Sequence, residues 1–171
     1  MKKCIFLFAT LFLVAFVACD FPIDKKAVET ETVVEFQDYG PQPFVFDMEA
    51  YTLENDLFRQ AIWTGTYMQL TVMSIGPGEE IGLEMHDDVD QFIRVEAGKG
   101  IILMGDSEED LDFQEELEDD FAAFIPAGKW HNVINTGDEP LKLYSIYAKP
   151  EHPFGTVHET YKEAMEAEHD H

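Results

Sequence analysis

The sequence predicts an all-β fold, a small antiparallel β-barrel spanning residues 44–158, followed by a short C-terminal helix over 159–171. Two observations predict the barrel. Short runs rich in β-branched and aromatic residues alternate with Gly, Pro and Asp turns at the spacing of a sandwich or barrel. The chain is 171 residues long and 46% hydrophobic, which is enough for one domain to bury a core. The helix is predicted from composition: Glu159 to His169 is built of Glu, Ala, Lys and Met without Gly or Pro, and Tyr161 and Met165 share a face.

The elements follow in order. Residues 44–60 are read as a segment able to supply a covering or exchanged strand, and Val33–Phe36 as a candidate edge strand. Ala61–Trp63 and Tyr67–Ile75 read as strands split by Thr64-Gly65, and Gly76-Pro77-Gly78 is a turn. Gln91–Val95 ends at Ala97-Gly98-Lys99-Gly100, a hairpin signal, and Ile101–Met104 continues it. The acidic stretch Asp106–Asp120 reads as an excursion between strands. Phe121–Ile125 is a strand halted by Pro126-Ala127-Gly128. Val133-Ile134 and Leu141–Ala148 complete the series.

The charge is lopsided, with 11 basic against 35 acidic residues and a net charge of −24. Such a surface repels nucleic acid and anionic lipid headgroups, so no nucleic-acid partner is expected. The first residues are a separate matter. Lys2 and Lys3 precede Ile5–Ala18, an apolar run of 14 residues whose only polar member is Thr10. That run is shorter than the ~20 residues a membrane-spanning helix needs. A charged start, a short apolar run and small residues before a break describe a secretion signal. With Val17-Ala18 before Cys19, it resembles a bacterial lipoprotein signal, although Phe16 stands where Leu is usual. The resemblance implies removal of residues 1–18, lipidation of Cys19, and an exported protein that meets the membrane only through its lipid anchor, by a polar tether over 19–43. Cys4 and Cys19 are the only cysteines, so the mature domain holds no disulfide.

A metal site needs several donors converging on one point with a position left open. Residues i and i+2 of a strand point to the same side, and Glu84 and His86 have that spacing. A third donor is available from Asp90 or Gln91, and a fourth from His131. These stretches resemble the cupins, small barrels with two short motifs. Gly78, five residues, Glu84-Met85-His86, four residues, Gln91, six residues and Gly98 reproduce the spacing of the first motif. Pro126-Ala127-Gly128, two residues, His131, three residues and Asn135 reproduce the second, with Asp120 where that motif begins with Gly. Glu84 stands in place of a His and Gln91 in place of a Glu. The resemblance implies a double-stranded β-helix, or jelly-roll barrel, and a metal set of Glu84, His86, Gln91 and His131. A carboxylate, two imidazoles and an amide carbonyl suit Fe, Mn, Zn, Ni or Co as a divalent ion.

Trp130 is expected to pack at the barrel, Arg94 and Phe92 to face away from Gln91, and Tyr144 to be a candidate lining residue on the last strand. The segment 147–158 carries two Pro, one Gly, His152 and His158. It is read either as a cover over the barrel mouth that offers His152 or His158 to a ligand or as a surface clasp. Its end resembles small bacterial cupins labelled sugar-phosphate-isomerase-like. The leading functional expectation is therefore a metal cupin that binds or acts on a small oxygen-rich ligand, as in a sugar isomerase or epimerase, with Glu84 as the catalytic base if it is not a ligand. The alternatives are a metal-dependent dioxygenase of a diketone or enediol, and a non-catalytic ligand- or metal-binding module. Monomer and homodimer both stay open.

Overall fold

A computed structural model of the chain describes residues 35–169. The signal segment 1–18, Cys19 and most of the tether lie outside the described residues. Among those described, no helix is long and apolar enough to cross a membrane.

Among the described residues nine strands form: β1 (Arg59–Thr64), β2 (Gln69–Ile75), β3 (Asp90–Ala97), β4 (Lys99–Gly105), β5 (Phe113–Glu118), β6 (Ala122–Ile125), β7 (Trp130–Asn135), β8 (Leu141–Ala148) and β9 (Val157–His158). They make a six-stranded sheet in the order β6-β3-β8-β2-β1-β9 and a three-stranded sheet in the order β5-β4-β7. Every pairing is antiparallel. Isolated bridges Glu80–Ile134 and Glu84–His131 lay the segment before β3 along β7, which widens the smaller sheet. This is the jelly-roll arrangement expected. The period-two alternation places Ile93 and Val95 of β3, Ile102 of β4, Val133 of β7 and Leu141 and Leu143 of β8 in one core with Met73 and Ile75. Helix α2 (Tyr161–His169) docks where composition placed it, with Ala164 fully buried and Tyr161 and Met165 packed on that core.

Two expectations are corrected. Asp106–Asp120 contains a strand: β5 pairs with β4 from Lys99–Glu118 to Met104–Phe113. Its burial is confined to Leu117, so it carries no apolar alternation to read. An acidic edge strand of this kind also discourages further strand pairing. Residues 44–60 supply a helix rather than a covering strand, α1 (Met48–Glu54). Asp47 caps it by accepting from the backbone N–H of Ala50 at 3.1 Å, and Glu49 lies in the first turn, a start signal present in the sequence. Glu35 and Phe36 are not in a strand. Instead Phe36, Phe44, Phe46, Met48 and Tyr51 cover the outer face of the larger sheet against Ile62, Leu70 and Val72. Asp38 pins this layer by accepting from Thr64 N at 2.9 Å, Thr64 Oγ1 at 2.6 Å and Gly155 N at 3.0 Å.

Backbone conformation explains two motif positions. Gly98 turns the β3–β4 hairpin at φ 89°, and a Cβ there would lie 2.6 Å from the Pro140 carbonyl oxygen. Asp120, where the second motif begins with Gly, takes φ 70°. Asp is among the few side-chain-bearing residues that adopt this region readily, and its carboxylate accepts from Arg94.

Candidate metal centre

The two motifs meet through their backbones. Glu84 N donates to His131 O at 3.0 Å, His131 N to Glu84 O at 2.9 Å, and Gly128 N to His86 O at 2.8 Å. Glu84 and His86 therefore lie in an extended segment held by single bridges rather than in a regular strand. The i, i+2 alternation survives, and both side chains enter the barrel. Glu84 Oε1 is 3.4 Å from His86 Nε2 and 3.3 Å from His131 Nε2. The side chains of Glu84, His86 and His131 are 14%, 9% and 1% exposed.

The far nitrogen of each ring is already engaged. His86 Nδ1 lies 3.1 Å from Glu151 Oε1, and His131 Nδ1 lies 3.0 Å from the Lys129 carbonyl oxygen. An acceptor at Nδ1 orients the ring and leaves Nε2 for a ligand, the arrangement metal-binding histidines share. Gln91 points inward from β3 and donates its amide N–H to Ser145 Oγ at 2.8 Å, which turns Oε1 away from that bond. Glu84 Oε1, His86 Nε2, Gln91 Oε1 and His131 Nε2 are all buried without a hydrogen-bond partner. Unsatisfied buried polar atoms cost about 1–3 kcal/mol each. A cation held by the carboxylate and two imidazoles, whose donor atoms lie within 4.8 Å of one another, removes that cost. The donor set thus fits a divalent ion.

The electrostatics agree. Burial pushes the Glu84 carboxyl up, but His131, His86 and the Arg59 charge outweigh it and hold the group well below the usual carboxylate range. Burial opposes a charge on His86, yet Glu151 and Glu84 raise it to about 9. The metal-free site therefore keeps a proton on His86 between two carboxylates, where a metal would take the proton's place.

Glu84 and His86 of this cluster line a cavity of about 670 Å³. Arg59, Trp130, Glu151, His152 and His158 also line it. The segment after β8 contributes Glu151, His152, Pro153, Thr156 and His158 to the lining of this cavity. Gln69, fully buried, ties that segment down: its side-chain oxygen accepts from His152 N at 2.9 Å and Glu151 N at 3.2 Å, and its N–H donates to His152 O at 2.9 Å. Burial, then Arg59, lowers His152 to about 3, so the imidazole is neutral.

The cavity lining therefore includes Glu84, His86, His152 and His158, with His131 clustered beside Glu84 and His86, but not Tyr144. On β8 the inward parity belongs to Ser145 and Tyr147. Tyr144 packs on the outer layer, 6.1 Å from the Phe92 ring, whereas Tyr147 lies 5.9 Å from His86 and 5.1 Å from His152. Asp90 is exposed and accepts from Ala127 N, so it does not replace Gln91. Arg94 faces outward to Glu96 and Asp120. Sequence reading missed Arg59, Gln69 and Glu151. A lone Arg and a lone Gln inside apolar strands were the available signals for the first two. Glu151 carried none, being one acid among many.

Glu151 has a measurable role. Replacing it by Gln or Ala is expected to weaken metal binding about 10–100-fold while the fold persists, because it frees the His86 ring. A competition titration against a chelating dye reads this. Unchanged affinity would remove Glu151 from the site.

Residues 71–147 match the sequence profile described as the cupin domain. The chain is 59% identical over 132 residues to YrkC of Bacillus subtilis, spanning 77% of this chain and 71% of that protein. It is 39% identical over 117 residues to L612 of Acanthamoeba polyphaga mimivirus, spanning 68% and 71%. The crystal structure of BH2720 from Bacillus halodurans superposes with a TM-score of 0.75 at 58% identity, over 76% of this chain and 98% of that one.

Proposed function

This chain belongs to the cupin family, and on that footing we propose that it is an exported, lipid-anchored protein that holds a divalent metal in its barrel and binds or transforms a small oxygen-rich ligand there. The observation that carries the reading is the cluster of Glu84, His86 and His131, whose buried ligand atoms lie within 4.8 Å of one another beside a cavity that Glu84 and His86 line. A divalent ion held by them supplies a Lewis acid that polarises a ligand oxygen. The chain's own residues do the rest. Glu151 holds the His86 ring, and Gln69 pins the segment that carries Glu151 and His152. A sugar isomerase moves a proton between neighbouring carbons and an epimerase returns it to the opposite face of the same carbon, and a carboxylate can serve as the base for either. Glu84 lies almost equidistant from both imidazoles. That position suits a ligand better than a free base, and it leaves Glu84 to move the proton only when the incoming ligand displaces it.

A second reading has its own support. Two imidazoles and one carboxylate are also the donor set of non-haem iron oxygenases. The metal separates the two. The chain from residue 20 onward, supplied with iron, manganese, zinc, nickel or cobalt, is expected to retain one of them. Raised melting temperatures with neutral sugars or small keto acids, lost on chelation, would support the first reading. Iron together with oxygen consumption on a diketone or enediol would favour the second. A chain that retains none of the five metals sinks both. The anchor has a separate check: Cys19→Ser is expected to move the protein from the membrane fraction to the soluble one, and continued membrane association would contradict lipidation there.

A further inference from the structure

We propose that Asp38, Thr64 and Gln69 form one polar relay that positions Glu151, and through Glu151 the His86 ring, so that the N-terminal strap over residues 35–46 belongs to the metal centre. The proposal rests on the metal reading above only for its consequence, the affinity for the ion. The relay itself stands on hydrogen bonds of the fold.

Packing alone does not fix Glu151 against His86. Its side chain is 29% exposed, although its carboxylate lies 3.1 Å from His86 Nδ1. Its main chain is what the fold holds. Glu151 N and His152 N both donate to Gln69 Oε1, at 3.2 and 2.9 Å, and Gln69 Nε2 donates back to His152 O at 2.9 Å. The other amide hydrogen of Gln69 goes to Thr64 Oγ1 at 2.9 Å. Both N–H groups and both acceptor sites of the amide are thereby used. A fully buried amide is costly unless it is paired in this way, and every one of its bonds goes to the loop or to Thr64.

The relay continues outward. Thr64 Oγ1 donates to Asp38 Oδ2 at 2.6 Å, and the same oxygen accepts from Gly155 N at 3.0 Å. Asp38 Oδ1 accepts from Gly40 N at 3.0 Å and from Thr64 N at 2.9 Å. One carboxylate on the strap thus grips the loop at Gly155 directly, and at Glu151 and His152 through two side chains. The strap is itself seated on β1. Tyr39 N donates to Ile62 O at 2.8 Å, and Trp63 Nε1 donates to Gln42 O at 2.7 Å. Gly40 lies so close to this strand that a Cβ there would stand 2.0 Å from the Thr64 carbonyl oxygen. A clasp serving stability alone could grip the loop anywhere along its length. This one grips Glu151, which meets His86, and His152, which lines the cavity.

Thr64 gives the mildest test, because Val removes its hydroxyl at nearly constant shape and Ser keeps it. Thr64→Val is expected to weaken metal binding several-fold, Asp38→Ala about 10-fold, and Thr64→Ser not at all. Added to Glu151→Gln, Asp38→Ala should cost less than about twofold more, because both changes release the same ring. The second readout needs no metal. At neutral pH the proton between His86 Nδ1 and Glu151 should give a nitrogen-edited NMR signal protected from solvent exchange and absent in His86→Gln. That protection should be lost in Asp38→Ala and reduced in Thr64→Val, while a cooperative thermal melt shows that each variant is folded. If Asp38→Ala does not fold, Thr64→Val against Thr64→Ser carries the test. No protected proton in the wild type, a protected proton that the variants leave unchanged, or unchanged affinity in a chain that binds metal overturns the relay. The two ideas fail separately. A wild type that retains no metal, yet loses its ring proton in these variants, keeps the relay and sinks the metal reading. Tight metal binding that the variants do not move does the reverse.

Discussion

His131→Ala is expected to lower metal affinity by more than about 100-fold, since disturbing a partner one shell out already costs 10–100-fold. The imidazole is fully buried, its Nδ1 held by the Lys129 carbonyl and its Nε2 3.3 Å from Glu84. Among the described residues no further His, Cys, Asp or Glu joins the cluster of Glu84, His86 and His131. The fold should survive. The bridge that ties the motifs together runs through the backbones of Glu84 and His131, not through the ring. His86→Ala should lose metal comparably. Gln91→Ala should lose less, because a neutral amide oxygen is the weakest of the four donors. Metal content after dialysis and a competition Kd for each variant read this graded series. If His131→Ala retains metal at wild-type affinity, the centre lies elsewhere. If Gln91→Ala loses as much as His131→Ala, the amide is a principal ligand.

The metal-free protein is expected to be most stable near pH 6.5 and to lose stability on both sides. His86, raised from 6.5 to about 9 by Glu151 and Glu84 against burial, contributes stability that is complete below 6.5. It is lost as pH rises through 9, because only the folded state holds that proton in the interval. His152 is lowered from 6.5 to about 3 by burial and then Arg59. Its contribution is complete above 6.5 and is lost as pH falls toward 3, where the unfolded chain takes a proton that the folded state refuses. Glu84, held low, adds to the acid side as pH falls below the ordinary carboxylate range. After solvent screening each limb amounts to about 2 kcal/mol, or about 4–8 °C in Tm for a chain of this size.

The alkaline limb is the diagnostic one, since many surface carboxylates also titrate in acid. Metal should abolish it by replacing the His86 proton, and His86→Gln should flatten it in the metal-free protein. Thermal melts from pH 4 to 10, with and without metal, measure both. A metal-free Tm that stays level from 6.5 to 9 would show that His86 gains nothing from its two carboxylates.

Much of the barrel was legible because a strand writes its burial into alternate residues. β3, β4 and β8 bury apolar side chains on one parity, while β2 is buried on both faces and was legible from its apolar, β-branched run; all four were read within a few residues of their ends. β5 was illegible for the same reason: with Leu117 as its only buried member, nothing alternates. Helix α1 is a different failure. Its Asp47 cap was in plain view, but seven residues are too short for a helical period to outweigh the aromatic texture around them. At the site, the resemblance of the two motifs to the cupins pointed to Glu84, His86, Gln91 and His131, and the structure clusters Glu84, His86 and His131. Tyr144 was proposed where Tyr147 has the inward parity, because a strand's periodicity separates its two faces without saying which one meets the cavity.

By itself, then, the sequence determined most of the strand series and the two motifs with the candidate donors they carry. These depend on short-range terms: pleat, turn chemistry and spacing along an extended backbone. Only the tertiary structure decided which donors converge and what surrounds them. His86 meets Glu151 from beyond β8, Gln69 holds the loop that carries both Glu151 and His152, and Arg59 enters the cavity opposite His158. Those contacts join residues far apart in the chain, and pairing register and packing alone bring them together. The two motifs pointed to the candidate donors, while the orientation and charge of the site depended on long-range contacts that a one-dimensional pattern does not encode.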